Sequence, residues 1–234
     1  MDRLVKDRKV IAIIQARMAS TRLPAKSLLD LCGRTLVERV IDKVRESKRI
    51  DDIWLATSDE KSDDAIEAIG KKNKVNVYRG NHLDVLKRYV GAIKASGADI
   101  IVRVTGDNPL TEPRFIDLGV KALIMEDLDF FSYINIPHGS NTDIVTREAF
   151  FKANELTTNR NVVTLYITDH PNEFKVKKID PPFVNLKRPD IRVTVDTLED
   201  FLNMWSLFHK FKDKDVVQLE DAISFFDEKK RGVI

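Results

Sequence analysis

Short apolar runs rich in β-branched residues alternate along this chain with longer amphipathic stretches, and no other feature restricts its fold as much. Val10 to Ile14 gives way to a helical stretch from Thr35 to Ser47, then Ile53 to Thr57, then Lys61 to Lys72. Further strands are expected at Val75 to Tyr78 and Ile100 to Thr105, separated by Leu83 to Ser96, whose apolar residues recur at helical spacing. Strands apolar on both sides need cover on both sides. The alternation therefore predicts an α/β fold with a mostly parallel sheet and helices on both of its faces.

After Gly106 the pattern loosens. A helix is expected from Pro113 to Met125, a strand around Phe130 to Ile134, and a loop at His138-Gly139-Ser140-Asn141, where a second substrate could be received. Strands at Phe174 to Ile179 and Ile191 to Val195 flank a loop marked by Pro181-Pro182, and helices from Leu198 to Phe211 and Val217 to Phe226 follow. Neither an internal repeat nor a low-complexity linker interrupts the 234 residues, which predicts one domain over residues 1–234.

Composition narrows the function by exclusion. Thirty-nine Lys and Arg against 37 Asp and Glu give a net charge of +2, so no broad basic field exists for nucleic acid. Small anions stay open as ligands, because a local cation cluster binds phosphate whatever the total charge. The single cysteine, Cys32, excludes an internal disulfide and multi-cysteine zinc sites, is read as a packing residue, and points to the cytoplasm. Met1 to Lys9 alternates charged and apolar residues before the short run Val10 to Ile14, which fits neither a signal peptide nor a membrane span.

Directly after the first strand, Gln15-Ala16-Arg17-Met18-Ala19-Ser20-Thr21-Arg22-Leu23-Pro24-Ala25-Lys26 carries cations and hydroxyls among turn formers. Open α/β sheets bind ligands at the carboxyl ends of their strands, which is where this loop must lie. Arg17 and Arg22 can hold phosphate oxygens with planar forks, and Lys26 adds a point charge. A solvated basic loop is the competing reading. No glycine-rich run precedes Lys26, so neither a P-loop nor a dinucleotide fingerprint is present.

Two aspartates share a placement. Arg103-Val104-Thr105-Gly106-Asp107 and Arg192-Val193-Thr194-Val195-Asp196 each run an apolar segment into a carboxylate. Asp107 could serve a turn, and Asp196 or Thr197 could cap the next helix. Taken with the basic loop, Asp107 and Asp196 describe a triphosphate site in which oxygen ligands hold a hard cation such as Mg²⁺.

The run Ile13 to Lys26, with Arg79-Gly80, Asp84 to Tyr89 and Arg103 to Asp107, resembles the spore-coat-polysaccharide SpsF branch of the cytidylyltransferases. Those enzymes are similar to the synthetases that make CMP-activated acidic sugars. The resemblance is strong from about Val10 to Leu110 and returns at Val195-Asp196-Thr197.

It implies a Rossmann-like, three-layer nucleotidyltransferase fold of the nucleotide-diphospho-sugar transferase kind, with a mixed, mostly parallel sheet. Residues of about 9–110 would bind nucleotide, and about 111–234 would bind the acceptor and form a homodimer. CTP would be held by Gln15, Ala16, Arg17, Ser20, Arg22, Lys26 and Thr105, with Thr57, Ser58, Asp59 and Arg79 near the nucleoside. Arg17, Lys26 and Asp107 would be catalytic, Asp107 and Asp196 would bind magnesium, and His138, Asn141 and Asp143 would face the acceptor.

The implied reaction is attack by an acceptor oxygen on the α-phosphorus of CTP with loss of pyrophosphate, in surface glycan biosynthesis. An acidic sugar, phosphate or phosphonate would arrive ionised, whereas a sugar hydroxyl would need a base, for which His138 is a candidate. The alternatives are a sugar 1-phosphate nucleotidyltransferase using another triphosphate, and a non-catalytic CTP-binding protein.

The chain departs from the family pattern at three places. Ala25 stands where the family usually has glycine, a modest change if its φ is negative. Gly139-Ser140-Asn141-Thr142-Asp143 replaces a Gly-x-Asp-x-Glu pattern, and Arg160-Asn161-Val162 replaces Arg-Glu-His.

Overall fold

The computed structural model describes residues 8–233, so the reading of Met1 to Lys9 lies almost wholly outside the described residues. Seven strands form one sheet in the order β3-β2-β1-β4-β6-β5-β7. They are β1 (Val10–Gln15), β2 (Asp52–Ser58), β3 (Asn76–Gly80), β4 (Ile100–Thr105), β5 (Phe130–Tyr133), β6 (Asp143–Thr146) and β7 (Val176–Ile179). The pairs β1 with β2, β1 with β4, β2 with β3 and β5 with β7 are parallel, and β6 runs antiparallel to both β4 and β5. The sheet is thus mixed and mostly parallel.

The period of two along each strand sorts its side chains between two cores. Val10, Ala12 and Ile14 of β1 join Val102 and Val104 of β4 in one core. That core is covered by α1 (Leu36–Arg45), α2 (Asp64–Lys72), α4 (Pro113–Met125), α7 (Leu198–Lys210) and α8 (Leu219–Lys230). Ile11 and Ile13 join Ile101 in the other, beneath α3 (Val85–Ser96), α5 (Arg147–Leu156) and α6 (Leu165–Asp169). Among the described residues no helix is long and apolar enough to cross a membrane.

The expected strand at Ile191 to Val195 is a correction. The segment is extended and Ile191, Val193 and Val195 are buried, which produced the alternation, but it forms only a single bridge, His138 to Arg192. Its partners are loop carbonyls: Val193 N donates to His138 O at 2.8 Å and Val195 N to Asp107 O at 2.9 Å. The strand β6 and helices α5 and α6 were not anticipated. β6 spans only Asp143–Thr146, too few residues to display a period of its own, although Thr146 caps α5 by accepting from Ala149 N at 3.2 Å.

Candidate active site

The loop after β1 is folded by a residue outside the sequence motif. Asp63 is 1% exposed and receives Met18 N at 2.8 Å, Thr57 Oγ1 at 2.9 Å, and Ser58 N at 3.0 Å. Burial works to raise its pKa, and the hydrogen bonds from Ser58, Met18 and Thr57 outweigh burial, so the carboxyl lies below its ordinary value. Thr57 and Ser58 therefore spend their hydroxyls inside the protein. The sequence carried no distinct signal of this, because an acid at position 63 reads equally as part of a helix start.

The carboxyl ends of β1 and β4 are locked together. Gly106 N donates to Gln15 O at 2.8 Å, and a Cβ on Gly106 would lie 2.8 Å from that oxygen. Only glycine permits this approach, which brings Asp107 up against the basic loop. From the far side comes Asp196. Thr197 rather than Asp196 caps α7, in a capping box with Asp200, so the Asp196 side chain remains free of the helix end.

Lys26 joins the two acids. Its Nζ donates to Asp107 Oδ2 at 2.7 Å, Asp196 Oδ1 at 2.9 Å and Val195 O at 2.8 Å, which uses all three ammonium hydrogens. Arg22 Nη2 reaches Asp196 Oδ1 at 2.8 Å, and Arg192 Nη2 reaches Asp196 Oδ2 at 2.8 Å. Burial tends to raise the Asp196 pKa, but the bond and charge of Lys26, with Arg22 and Arg192, bring it below the ordinary carboxylate value. Arg192 also pairs with Asp200 at 2.8 Å.

Two cavities meet at this cluster. One of about 230 Å³ is walled by the basic loop, including Gln15, Ala16, Arg17, Ser20 and Lys26. The other, of about 390 Å³, holds Arg103, His138, Asn141, Asp143 and Thr194. Arg22, Thr105, Asp107 and Asp196 line both. The wall between them, with one substrate on each side, is where a group could pass from donor to acceptor.

Arg17 belongs to no ion pair among the described residues, and its charge acts on a second guanidinium, that of Arg88. Arg88 is 1% exposed; its Nη1 is held by Asn81 O at 2.7 Å, while Nε and Nη2 have no hydrogen-bond partner among the described residues. Burial and the charge of Arg17 pull the Arg88 pKa below its ordinary value.

The remaining expected residues divide between the second cavity and the rest of the fold. Arg79 is engaged by Asp64 at 2.6 Å and Glu67 at 2.7 Å, and neither it nor Thr57, Ser58 or Asp59 lines either cavity. Asn141 donates to Ser132 Oγ at 2.8 Å, and Asp143 pairs with Arg103 at 3.0 Å. His138 is exposed at the cavity mouth. Arg160, in the segment that departs from the family pattern, is paired with Asp84 at 3.0 Å. Ala25 has φ 56°, so the condition attached to that departure fails: the residue is left-handed, the region glycine favours.

Asp107 and Asp196 fit a hard divalent cation. The Lys26 ammonium marks one point within 2.7 to 2.9 Å of an oxygen of each acid. No group of three or more His, Cys, Asp or Glu suited to a metal occurs among the described residues. Phosphate and water oxygens would have to complete the shell, as they do where Mg²⁺ is held by one or two carboxylates.

A mixed sheet covered on both faces, with a cationic loop after its first strand, a carboxylate after β4 and a second from an extended segment beside it, places the chain among the nucleotidyltransferase folds. It belongs to the cytidylyltransferase family, whose model matches residues 11–233. An uncharacterised protein of Methanocaldococcus jannaschii is 40% identical over 223 residues, covering 94% of this chain and 91% of its own. The spore coat polysaccharide biosynthesis protein SpsF of Bacillus subtilis is 32% identical, covering 93% and 94%. Among solved structures, a cytidylyltransferase from Leptospira borgpetersenii superposes with a TM-score of 0.84 at 29% identity, covering 97% of this chain and 96% of that one.

Proposed function

We propose that this protein transfers CMP from CTP to a small acceptor that arrives already ionised, an acidic sugar, a phosphate or a phosphonate, with Mg²⁺ as its metal and surface glycan synthesis as its setting. The observation that carries the reading is the meeting of Lys26, Arg22, Asp107 and Asp196 at the wall shared by two cavities. Family membership supports the cytidylyl donor, and the relation to SpsF supports the glycan setting.

In this reading the triphosphate lies along the loop from Gln15 to Lys26. Arg17, which lines this cavity and belongs to no ion pair among the described residues, supplies charge that a phosphate would neutralise. The Lys26 ammonium turns at least one hydrogen from a carboxylate to a phosphate oxygen. Asp107 and Asp196 would hold Mg²⁺, which supplies positive charge to the phosphate oxygens. The acceptor oxygen forms a bond to the α-phosphorus from the second cavity, the bond to the β-phosphate oxygen breaks, and pyrophosphate leaves with both electrons. Positioning and charge stabilisation lower the barrier, and no proton needs to move if the acceptor oxygen is ionised.

Pyrophosphate release, assayed with CTP, UTP, dTTP and GTP against sugar acids, sugar phosphates and phosphonates, tests the proposal. CTP should be preferred, and Asp107→Ala should lose about 10²-fold or more in turnover while melting as the wild type does. Preference for another triphosphate would make the protein a sugar 1-phosphate nucleotidyltransferase. Tight CTP binding without release across the panel would make it a CTP-binding protein instead.

A further inference from the structure

The extended segment that leads into Asp196 carries a cation to which the sequence reading gave no role. Both peptide groups flanking Arg192 are tied to the loop at His138: His138 N donates to Ile191 O at 2.8 Å, and Val193 N donates to His138 O at 2.8 Å. The Arg192 side chain is held as well. Its Nε donates to Asp200 Oδ1 at 2.8 Å and its Nη2 to Asp200 Oδ2 at 3.2 Å, a two-pronged pairing that fixes the plane of the guanidinium. Asp200 is itself buried, and its Oδ2 also accepts Asp196 N at 2.9 Å and Thr197 N at 3.0 Å.

From this fixed position Nη2 reaches one oxygen of Asp196, Oδ2, at 2.8 Å. The other oxygen, Oδ1, meets Lys26 at 2.9 Å and Arg22 at 2.8 Å. The two oxygens thus have partners of different kinds. Lys26 and Arg22 line the cavity walled by the basic loop, where a phosphate can draw them off. Arg192 lines neither of the two cavities, and Asp200 keeps it where it is. A phosphate entering the first cavity would therefore free Oδ1 and leave Oδ2 engaged.

We propose that Arg192 is a positioning residue that keeps Asp196 turned so that Oδ1 alone is offered to a divalent cation. The cation rests on the transfer reading; the orientation of Asp196 does not. A guanidinium on a carboxylate has two effects. It fixes the direction of the acid, which favours a productive complex, and its charge weakens the hold of the acid on a metal that arrives without nucleotide. Removing Arg192 should then move metal binding and turnover in opposite directions. Loss of local structure would lower both, and a bystander would move neither.

The test uses the full chain carrying Arg192→Gln or Arg192→Lys. Mn²⁺ binding without nucleotide, followed by electron paramagnetic resonance, should tighten about threefold or more in Arg192→Gln, the effect of losing one partly exposed charge beside the acid. Pyrophosphate release from CTP, with the acceptor that serves best in the panel above, should fall about tenfold in kcat while KM for CTP stays within about twofold. Arg192→Lys keeps the charge without the fork, so it should bind Mn²⁺ as the wild type does and recover only part of the turnover. In crystals of Arg192→Gln the Asp196 carboxylate should leave its present orientation. An Asp196 that holds its place there, or Mn²⁺ binding and turnover that fail to move apart, would overturn the proposal. Should Arg192→Gln not fold, turnover and the crystal structure of Arg192→Lys carry the comparison. If the wild type binds no Mn²⁺ and releases no pyrophosphate, the transfer reading falls, and the crystal comparison still decides whether Arg192 orients the acid.

Discussion

At the scale of single residues, Lys26 connects charge to chemistry. Its ammonium stands between Asp107 and Asp196, so in the proposed reaction it would compete with metal as well as attract phosphate. Lys26→Met should therefore weaken triphosphate binding yet tighten Mn²⁺ binding in the absence of nucleotide, measured by electron paramagnetic resonance. Unchanged or weaker Mn²⁺ binding would show that the ammonium does not hold the metal position. Ala25 offers a second test. Its φ of 56° costs an L-residue roughly 1–2 kcal/mol relative to glycine, so Ala25→Gly should stabilise the protein by about 1 kcal/mol in urea melts. A destabilised variant would mean that the alanine methyl is packed favourably enough to outweigh the strain.

At the scale of elements, the start of α7 holds the site from behind. Asp200 accepts Thr197 N at 3.0 Å and Asp196 N at 2.9 Å, and it pairs with Arg192. Burial acts to raise its pKa; Arg192 and the two backbone bonds bring it down to about 2. An unfolded Asp titrates near 3.9, so this interaction stabilises the fold fully above about pH 4 and is lost as pH falls toward about 2. Asp200→Asn should be less stable than the wild type at pH 7, and the gap should close between pH 4 and pH 2 in thermal melts. A gap independent of pH would remove the charge from the account.

The elements also divide by how plainly the sequence announced them. β1, β2, β4 and the helices between them carry long periodic signals, and their observed bounds fall within two residues of expectation apart from α2, which begins after a short 3₁₀ turn at Lys61–Asp63. β6 has four residues, and only its place between β4 and β5 makes it a strand. The segment Ile191 to Val195 shows the converse, since a period of two records one buried face and cannot tell a sheet ladder from a pair of loop carbonyls.

For the whole molecule, the cavity walled by the basic loop lies across the carboxyl ends of strands at the centre of the sheet, where β1 and β4 adjoin. A ligand that bridges Lys26, Asp107 and Asp196 ties together segments from the beginning, middle and end of the chain. Binding only to the folded form, CTP with Mg²⁺ at about 100 times its dissociation constant should add about 2.7 kcal/mol to stability, read as a raised melting temperature. UTP should raise it less. An equal shift with both would contradict the preference for cytidine.

The sequence by itself determined the layered α/β architecture, because burial on two faces writes its period directly into the strands and helices. It also marked Arg17, Arg22, Lys26, Asp107 and Asp196 as charges that follow apolar segments, a placement that a solvated loop, a turn or a helix cap would share. Only the tertiary structure decided how these charges are matched: that Lys26 is saturated by both acids and the Val195 carbonyl, that Asp63 consumes Thr57 and Ser58, that Arg79 is tied to Asp64 and Glu67, and that Arg103 pairs with Asp143. Hydrogen bonds act over about 3 Å, here between residues such as Arg22 and Asp196 that stand 174 positions apart, and no local pattern encodes such partners.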